Sequence, residues 1–261
     1  AEPVPFGRHV EAVSRADTSA ARQFFIGQFD GWEGPEGGPG PPPHDSEQNL
    51  RRGHRELELR LPASWIERAE RRAAEVDATV GSILLAAWSV LLSRWSDTDD
   101  VAFGTIRSGR HAVPDADRIV GCLINTVPLR VRVDPDATVD DLLRSVRSFQ
   151  EAVRPHEQTS LLDISEWLEV ETDRPLLDTA VVYERELLDT RLRAKGGPWE
   201  NRRVELLEQS SFPMMLSAHR DDGLRARIEY DSSRYDSETV VRIGGHLQRL
   251  LESMVDSRSD N

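Results

Sequence analysis

The side chains that could carry out catalysis are few and scattered in this sequence of 261 residues. The single cysteine, Cys122, excludes an intrachain disulfide, and its place in an apolar run predicts a small buried residue rather than a nucleophile. The histidines that could act as acids, bases or metal ligands are His9, His44, His54, His111, His156, His219 and His246. They are all isolated, without a partner at metal-binding spacing, and an isolated histidine is more often structural or exposed than catalytic.

Motifs for nucleotide, phosphate and hydrolase chemistry are absent from the sequence, which has no Gly-x-Gly-x-x-Gly, no phosphate loop and no Gly-x-Ser-x-Gly. The 46 acidic and 33 basic residues give a net charge of −13. Such a balance argues against a nucleic-acid partner, because binding phosphates requires a basic face. Arginine clusters could still form local basic patches, although a solvated surface is the simpler interpretation. These clusters are Arg51–Arg52, Arg107 with Arg110, and Arg202–Arg203.

Membrane segments are not indicated by the sequence. No window of about 18 uninterrupted apolar residues occurs, and the first residues lack a basic segment followed by an apolar one. We therefore expect a soluble, cytoplasmic protein without membrane contact.

The longest β-rich apolar run, residues 118–133, has one asparagine and one proline inside it. Its second half alternates apolar and polar residues from Val127 to Val133, which predicts a strand with one solvated face. Its first half, residues 119–124, has no polar alternation and is predicted either to be buried on both sides or to run between two bodies. Asn125 stands at the junction, where we expect its amide to bond to backbone groups, since unpaired buried polar atoms cost about 1–3 kcal/mol. A simple core strand with a satisfied asparagine is the alternative interpretation.

The elements around this run are predicted by apolar periodicity and by caps. Helices are predicted at residues 19–29, from Pro62 to about Glu75, and at 80–95, 137–153, 161–170 and 237–254. Strands are predicted at residues 54–61, 101–106, 178–183, 204–207, 214–218 and 224–230. Residues 34–50 are rich in Gly, Pro and acidic residues and are predicted to be a linker. This order favours an α/β fold, a two-layer sandwich of a mixed sheet with helices on one face.

The segment Ile119 to Arg130, of sequence IVGCLINTVPLR, resembles the (I/V)GxFVNTLPLR signature of the condensation domains of nonribosomal peptide synthetases. Residues 78–95 and 99–105 resemble the buried helix and following strand of that family, and Gly109-Arg110 matches its Gly-Arg pair. His156 falls where the family has an HQDYPFE motif, although residues 157–162 depart from that motif.

The resemblance implies a chloramphenicol acetyltransferase-like architecture, in which two similar lobes form a tunnel for carrier-protein tethers. The family's catalytic HHxxxDG motif lies in the first lobe, and this sequence has no His-His pair. The chain therefore resembles a second lobe, with residues 1–33 as the connecting element, 34–50 as the linker and 51–261 as the C-terminal lobe. The residues that the resemblance places at the tunnel and lobe interface are Gly121, Asn125, Thr126, Arg130 and His156.

The function implied by the resemblance is half of an amide-forming enzyme, with no catalytic residue or metal of its own. Its expected partners are a first-lobe polypeptide and peptidyl carrier proteins, whose phosphopantetheine arms would be the cofactors. Two alternatives remain open at this point: a non-catalytic module that docks carrier or tailoring proteins, and an acyltransferase of the same superfamily that uses a free or coenzyme A-linked donor.

Overall fold

The computed structural model describes residues 3–34, 53–110, 113–170, 175–184, 192, 194–202 and 210–257. Within these ranges the helices are α1 (Phe6–Ser14), α2 (Ser19–Gln28), α3 (Ala63–Glu75), α4 (Val80–Ser96), α5 (Val139–Ala152), α6 (Leu161–Trp167) and α7 (Ser237–Asp256). The strands are β1 (His54–Leu61), β2 (Asp100–Arg107), β3 (Asn125–Arg132), β4 (Thr179–Glu184), β5 (Met214–Arg220) and β6 (Leu224–Asp231). The predicted strand at 204–207, nearly all of the linker at 34–50, and His44 and His111 lie outside the described residues.

The strands form one six-stranded mixed sheet in the order β1-β6-β5-β4-β2-β3. The β2–β4 and β4–β5 pairs are parallel, and the other pairs are antiparallel. Helices α3, α4 and α7 contact strands of this sheet, and the apolar side chains between the helices and the sheet form one large core. The predicted α/β fold with a helix layer on a mixed sheet is confirmed.

The centre of the helix layer is α4, the helix predicted to be buried because it is apolar all round. It begins with a capping box, in which Thr79 and Ser82 each accept a hydrogen bond from the other's backbone N–H. The Trp88 indole donates to the Thr179 hydroxyl on β4 over 3.2 Å, so this buried N–H has a hydrogen-bond partner within the core. Since α4 packs against α3, α5 and α7, it fixes the positions of the helices that surround the sheet.

Helix α2 packs beside β3, the strand at one edge of the sheet. Its Phe25 is fully buried in the main core. Arg130 on β3 donates to the carbonyls of Gln28 and Asp30 at the end of α2, over 3.2 and 2.7 Å. The last carbonyls of a helix lack partners within it, so this arginine both caps α2 and holds it against the sheet.

Of the two predictions for residues 119–124, burial on both sides is wrong, and a position between two bodies stays a prediction. Val120 and Ile124 are 84% and 61% exposed, and Cys122 is exposed as well, which also contradicts its predicted burial. β2 ends at Arg107, opposite Asn125, so residues 119–124 have no neighbouring segment of β2 with which to continue the ladder. Only Ile119 and Leu123 of this segment turn inward, and they join a small separate cluster.

Among the described residues, no single helix has both the length and the apolar composition of a membrane span. Helices α3 and α4 meet that criterion only when counted together, and they are bent by 92° relative to each other.

Candidate functional site

Asn125 lies at a corner where three parts of the chain meet. It is the first residue of β3 and pairs with Arg107, the last residue of β2. Its Nδ2 donates to the carbonyls of Glu157 and Thr159 over 2.9 and 2.6 Å. The prediction that this amide bonds to backbone groups at the junction is therefore confirmed. The contact ties the edge of the sheet to the segment that follows α5.

The side chain of Glu157 forms a second link at the same corner. Arg107 donates from Nε and Nη2 to the same carboxylate oxygen, Oε1, over 2.8 and 2.5 Å. It also donates to the Gln150 carbonyl in the last turn of α5 over 3.4 Å. Glu157 is only 1% exposed, and a buried charge needs such a partner to avoid a large desolvation cost. Arg107 therefore does not belong to a basic surface patch, as one interpretation of the sequence suggested.

The loop after β2 is fixed by Gln158, which donates to the carbonyls of Gly109 and Leu123 over 3.1 and 3.3 Å. Gly109 has φ +65°, and a Cβ at this position would lie 2.2 Å from the Leu123 carbonyl oxygen. Both the backbone angle and the close approach require glycine. Arg110 then donates to the Ala116 carbonyl over 2.6 Å, which holds the next turn of the loop.

His156 packs on the aromatic side of α2. Its ring stacks on Phe24 with centroids 4.8 Å apart, and Phe25 meets it edge-on at 6.4 Å. Burial lowers the pKa of His156 below its usual value of 6.5, which favours the neutral ring at pH 7. This environment suits an aromatic packing role, and among the described residues no carboxylate forms a hydrogen bond with the ring to orient it as a base.

The other predicted site residues are distributed around this corner. The Gly121 backbone lies against Phe6 of α1, where a Cβ would come within 2.2 Å of the ring. Thr126 points to the opposite face of the sheet from Asn125, and a Cβ at Gly104 on β2 would lie 2.8 Å from the Thr126 methyl carbon. Arg130 lies on that same face and forms an ion pair with Asp100. The structure thus brings together Asn125 and the segment that contains His156, while Thr126 and Arg130 support the strand from its other side.

A groove of about 1270 Å³ opens beside this corner, at the ends of β2 and β4. Its apolar lining comes mainly from α3, α4 and β4, and its polar lining comes from α5 and the residues after it, from the end of β2 and from the turn between β5 and β6. The apolar lining includes Ala73, Ala74, Ala78, Val80, Leu85 and Val181. The polar lining includes Arg107, Arg147, Gln150, Arg154 and Glu157. The groove can therefore hold a chain with an apolar part and a polar part.

The polar side of the groove was not predicted from the sequence. Residues 147, 150 and 154 recur at helical spacing, which places them on one face of α5 and its extension. Such a polar stripe beside the apolar face of an amphipathic helix was the available signal. In the part of the chain that the structure describes, no three His, Cys, Asp or Glu side chains are grouped as they would be in a metal site.

The family model for the condensation domain matches residues 23–260. The chain is 30% identical over 251 residues to one subunit of the linear gramicidin synthase from Brevibacillus parabrevis, covering 96% of this chain and 3% of that protein. It is also 30% identical over 259 residues to chondramide synthase cmdD from Chondromyces crocatus, covering 97% of this chain and 6% of that protein.

Among solved structures, the condensation domain from the Monacolin K polyketide synthase MokA shares the fold. The TM-score is 0.75 with 19% sequence identity, and the match covers 96% of this chain and 60% of that one. The chain thus spans a small part of the synthases it resembles and less than two thirds of this solved chain. A family match over nearly the whole length, on a sheet and helix layer of the same fold, shows that the chain belongs to the condensation domain family.

Proposed function

We propose that this chain is the second-lobe half of a nonribosomal peptide synthetase condensation domain. In this proposal residues 1–33 are the connecting element, 34–50 the linker and 51–261 the lobe. The observation that carries it is the asymmetric coverage, because 96% of this chain aligns with only 60% of a condensation domain chain. The given residues contain no His-His pair, which supports a catalytic histidine supplied by a first lobe, joined covalently or acting in trans.

The chemistry of this proposal is the formation of an amide from two carrier-bound substrates. The amine of the acceptor attacks the thioester carbonyl of the donor, the C–S bond breaks, and the donor carrier's phosphopantetheine thiol leaves. The attacking amine loses its proton to a base that the first lobe supplies. This lobe contributes by holding the reactants, since positioning alone can lower a barrier by about 7–11 kcal/mol in favourable cases.

The residues around Asn125 suit a wall between two lobes. We assign Gly121, Asn125, Thr126, Arg130 and His156 to the tunnel and lobe interface. Asn125 and the segment around His156 form the wall itself, while Thr126 and Arg130 hold β3 in place behind it. The neutral, stacked His156 supports a packing role and is consistent with a base located in the other lobe.

An exposed apolar surface near this corner supports the docking of a partner. Val120 and Ile124 are largely exposed just ahead of Asn125, and Leu162 is 80% exposed at the start of α6. Leu162 follows shortly after Thr159, whose carbonyl accepts from Asn125, and exposed large apolar side chains are typical of interaction sites when they adjoin one another. Val4 also pairs with this segment, since its N–H donates to the Arg118 carbonyl over 2.9 Å. The start of the described chain therefore lies beside the exposed apolar residues, where we expect the first lobe to dock.

The test is reconstitution with a first-lobe polypeptide that carries HHxxxDG, together with a donor and an acceptor loaded on carrier proteins. We expect a stoichiometric complex and amide product, measured by calorimetry and by intact-protein mass spectrometry. Ile124→Asp and Leu162→Asp should each weaken the complex at least about tenfold, the effect of losing roughly 1.4 kcal/mol. Val241→Asp is the matched control, because Val241 is a 58% exposed apolar residue on α7.

Absence of both binding and product, with carriers shown to be loaded, would refute the proposal. The lack of a His-His pair also favours a second candidate, a non-catalytic module that docks carrier or tailoring proteins. That candidate predicts partner binding that survives Asn125→Ala and no amide product under any reconstitution.

A further inference from the structure

Two buried polar atoms without a hydrogen-bond partner belong to the polar side of the groove. Arg107 occupies only Oε1 of Glu157, and Oε2 has no partner within the described part of the chain. Arg147 pairs with Glu151 through Nη2 over 2.7 Å, while its Nε–H is likewise unpaired there. An unpaired buried polar atom costs about 1–3 kcal/mol, so a ligand that supplies the partners would recover that free energy.

The charges of this pair of sites are already balanced. Glu157 is neutralised by Arg107, and Arg147 is neutralised by Glu151. A charged ligand group placed here would meet both attracting and repelling charges, so its charge would bring little net gain. A neutral group with one donor and one acceptor gains both hydrogen bonds without such repulsion.

We propose that Glu157 and Arg147 bind an amide group of a substrate held in the groove. The amide N–H donates to Glu157 Oε2, and the amide carbonyl accepts from Arg147 Nε. The donor and the acceptor of an amide are different atoms. Each can therefore meet one of the two protein groups, Arg147 on α5 and Glu157 in the segment after it. The acyl part of the same substrate would lie on the apolar lining from α3, α4 and β4. The inference deepens the proposed function and rests on it for the source of the substrate.

Contact with these two atoms requires a small rearrangement, because neither has exposed surface in the free chain. The last torsion of a glutamate is broad and nearly two-fold, so its carboxylate can turn at low cost. Because the two carboxylate oxygens are equivalent, one of them can stay with Arg107 while a small turn brings the other toward the groove.

The experiment is an NMR titration of the isotopically labelled chain without a first lobe. The probes are S-octanoyl-N-acetylcysteamine, which has a single amide, and its analogue with an ester in place of that amide. We expect the amide probe to bind about tenfold tighter or more, because hydrogen bonds to charged groups are worth that factor. The shifts should concentrate on residues 147–158 and on the groove face of α4.

Variants separate a direct contact from a general effect on the groove. Arg147→Met keeps the aliphatic stem and should remove most of the discrimination between amide and ester. Arg144→Met is the control, since Arg144 is an exposed arginine on the same helix that pairs with Asp140 and Asp141.

Equal affinity for the two probes, shifts located away from the groove, or no binding up to the solubility limit would each overturn the inference. The affinities of the two probes are compared on the wild-type chain, so the test does not require any variant to fold. Reconstitution with a first lobe is not part of this test. Failure of the amide selectivity would therefore leave the proposed function standing, and failure of reconstitution would leave the amide site standing.

Discussion

Replacing Asn125 with alanine should destabilise the isolated chain by about 1–3 kcal/mol. The variant loses two side-chain hydrogen bonds, to the Glu157 and Thr159 carbonyls, and each such bond contributes about 0.5–1.5 kcal/mol net. Both acceptor residues are buried, so water replaces the lost donors poorly. The loss is a substantial part of the free energy of unfolding of a typical domain, which is roughly 5–15 kcal/mol.

Asn125→Asp should be more damaging than Asn125→Ala at pH 8, because a carboxylate in that position faces two carbonyl oxygens and cannot donate to them. The folded state then favours the protonated acid, so the pKa of the introduced carboxyl is raised above its unfolded value. Stability relative to Asn125→Ala should therefore be lowest at high pH and should recover as the pH falls through the folded pKa.

The assay is urea unfolding at pH 8 and at pH 5, followed by tryptophan fluorescence, with the slope m checked for constancy. Gln248→Ala is the matched control, because Gln248 is an amide on α7 that bonds only to the Glu252 side chain in the described residues. That control should change stability by less than about 0.5 kcal/mol. If Asn125→Ala costs no more than the control, the amide does not hold the corner and the reasoning fails.

Three further predictions concern the framework and the loop. Arg72→Met should cost about 3–5 kcal/mol in urea unfolding because it leaves the Asp140 carboxylate buried without its main partner, and a smaller loss in the double variant Arg72→Met/Asp140→Leu would identify the uncompensated buried charge as the cause. Gly109→Ala should cost about 1–3 kcal/mol, since a side chain must adopt φ +65° against a backbone carbonyl, and an unchanged midpoint would contradict this. Hydrogen bonds from Thr239 lower the pKa of Asp236 below 3.8, so its stabilising effect is complete above pH 3.8 and is lost as the pH falls through the folded pKa. Acid titration of Asp236→Asn should lack that component, and an identical acid transition would refute the assignment.

Local patterns in the sequence were sufficient to predict most of the framework. The helix at 80–95 was predicted because it is apolar all round, and the structure buries nearly all of it as α4. The strand at 54–61 was predicted from alternating leucines, which face the helices. These features depend on neighbouring residues only, so periodicity was enough to predict them.

Features that depend on distant pairing could not be predicted from the same patterns. Residues 119–124 are as apolar as a buried strand, but β2 ends opposite Asn125 and provides no partner for them. Arg107 and Glu157 are 50 residues apart in sequence, and nothing in either local segment indicates that they pair. The amide contact of Asn125 was anticipated from the cost of burial, while the identity of its acceptors depended on how α5 ends.

The pairing of β1 with β6 delays completion of the sheet during synthesis and folding. The first strand of the sheet joins the last one, so this edge of the sheet cannot form until almost the whole chain has been synthesised. Contacts of such long sequence separation slow folding, since the loop must be closed before they form. During that interval the leucines of β1 lack their partners, and exposed apolar side chains of this kind favour aggregation until the final hairpin forms.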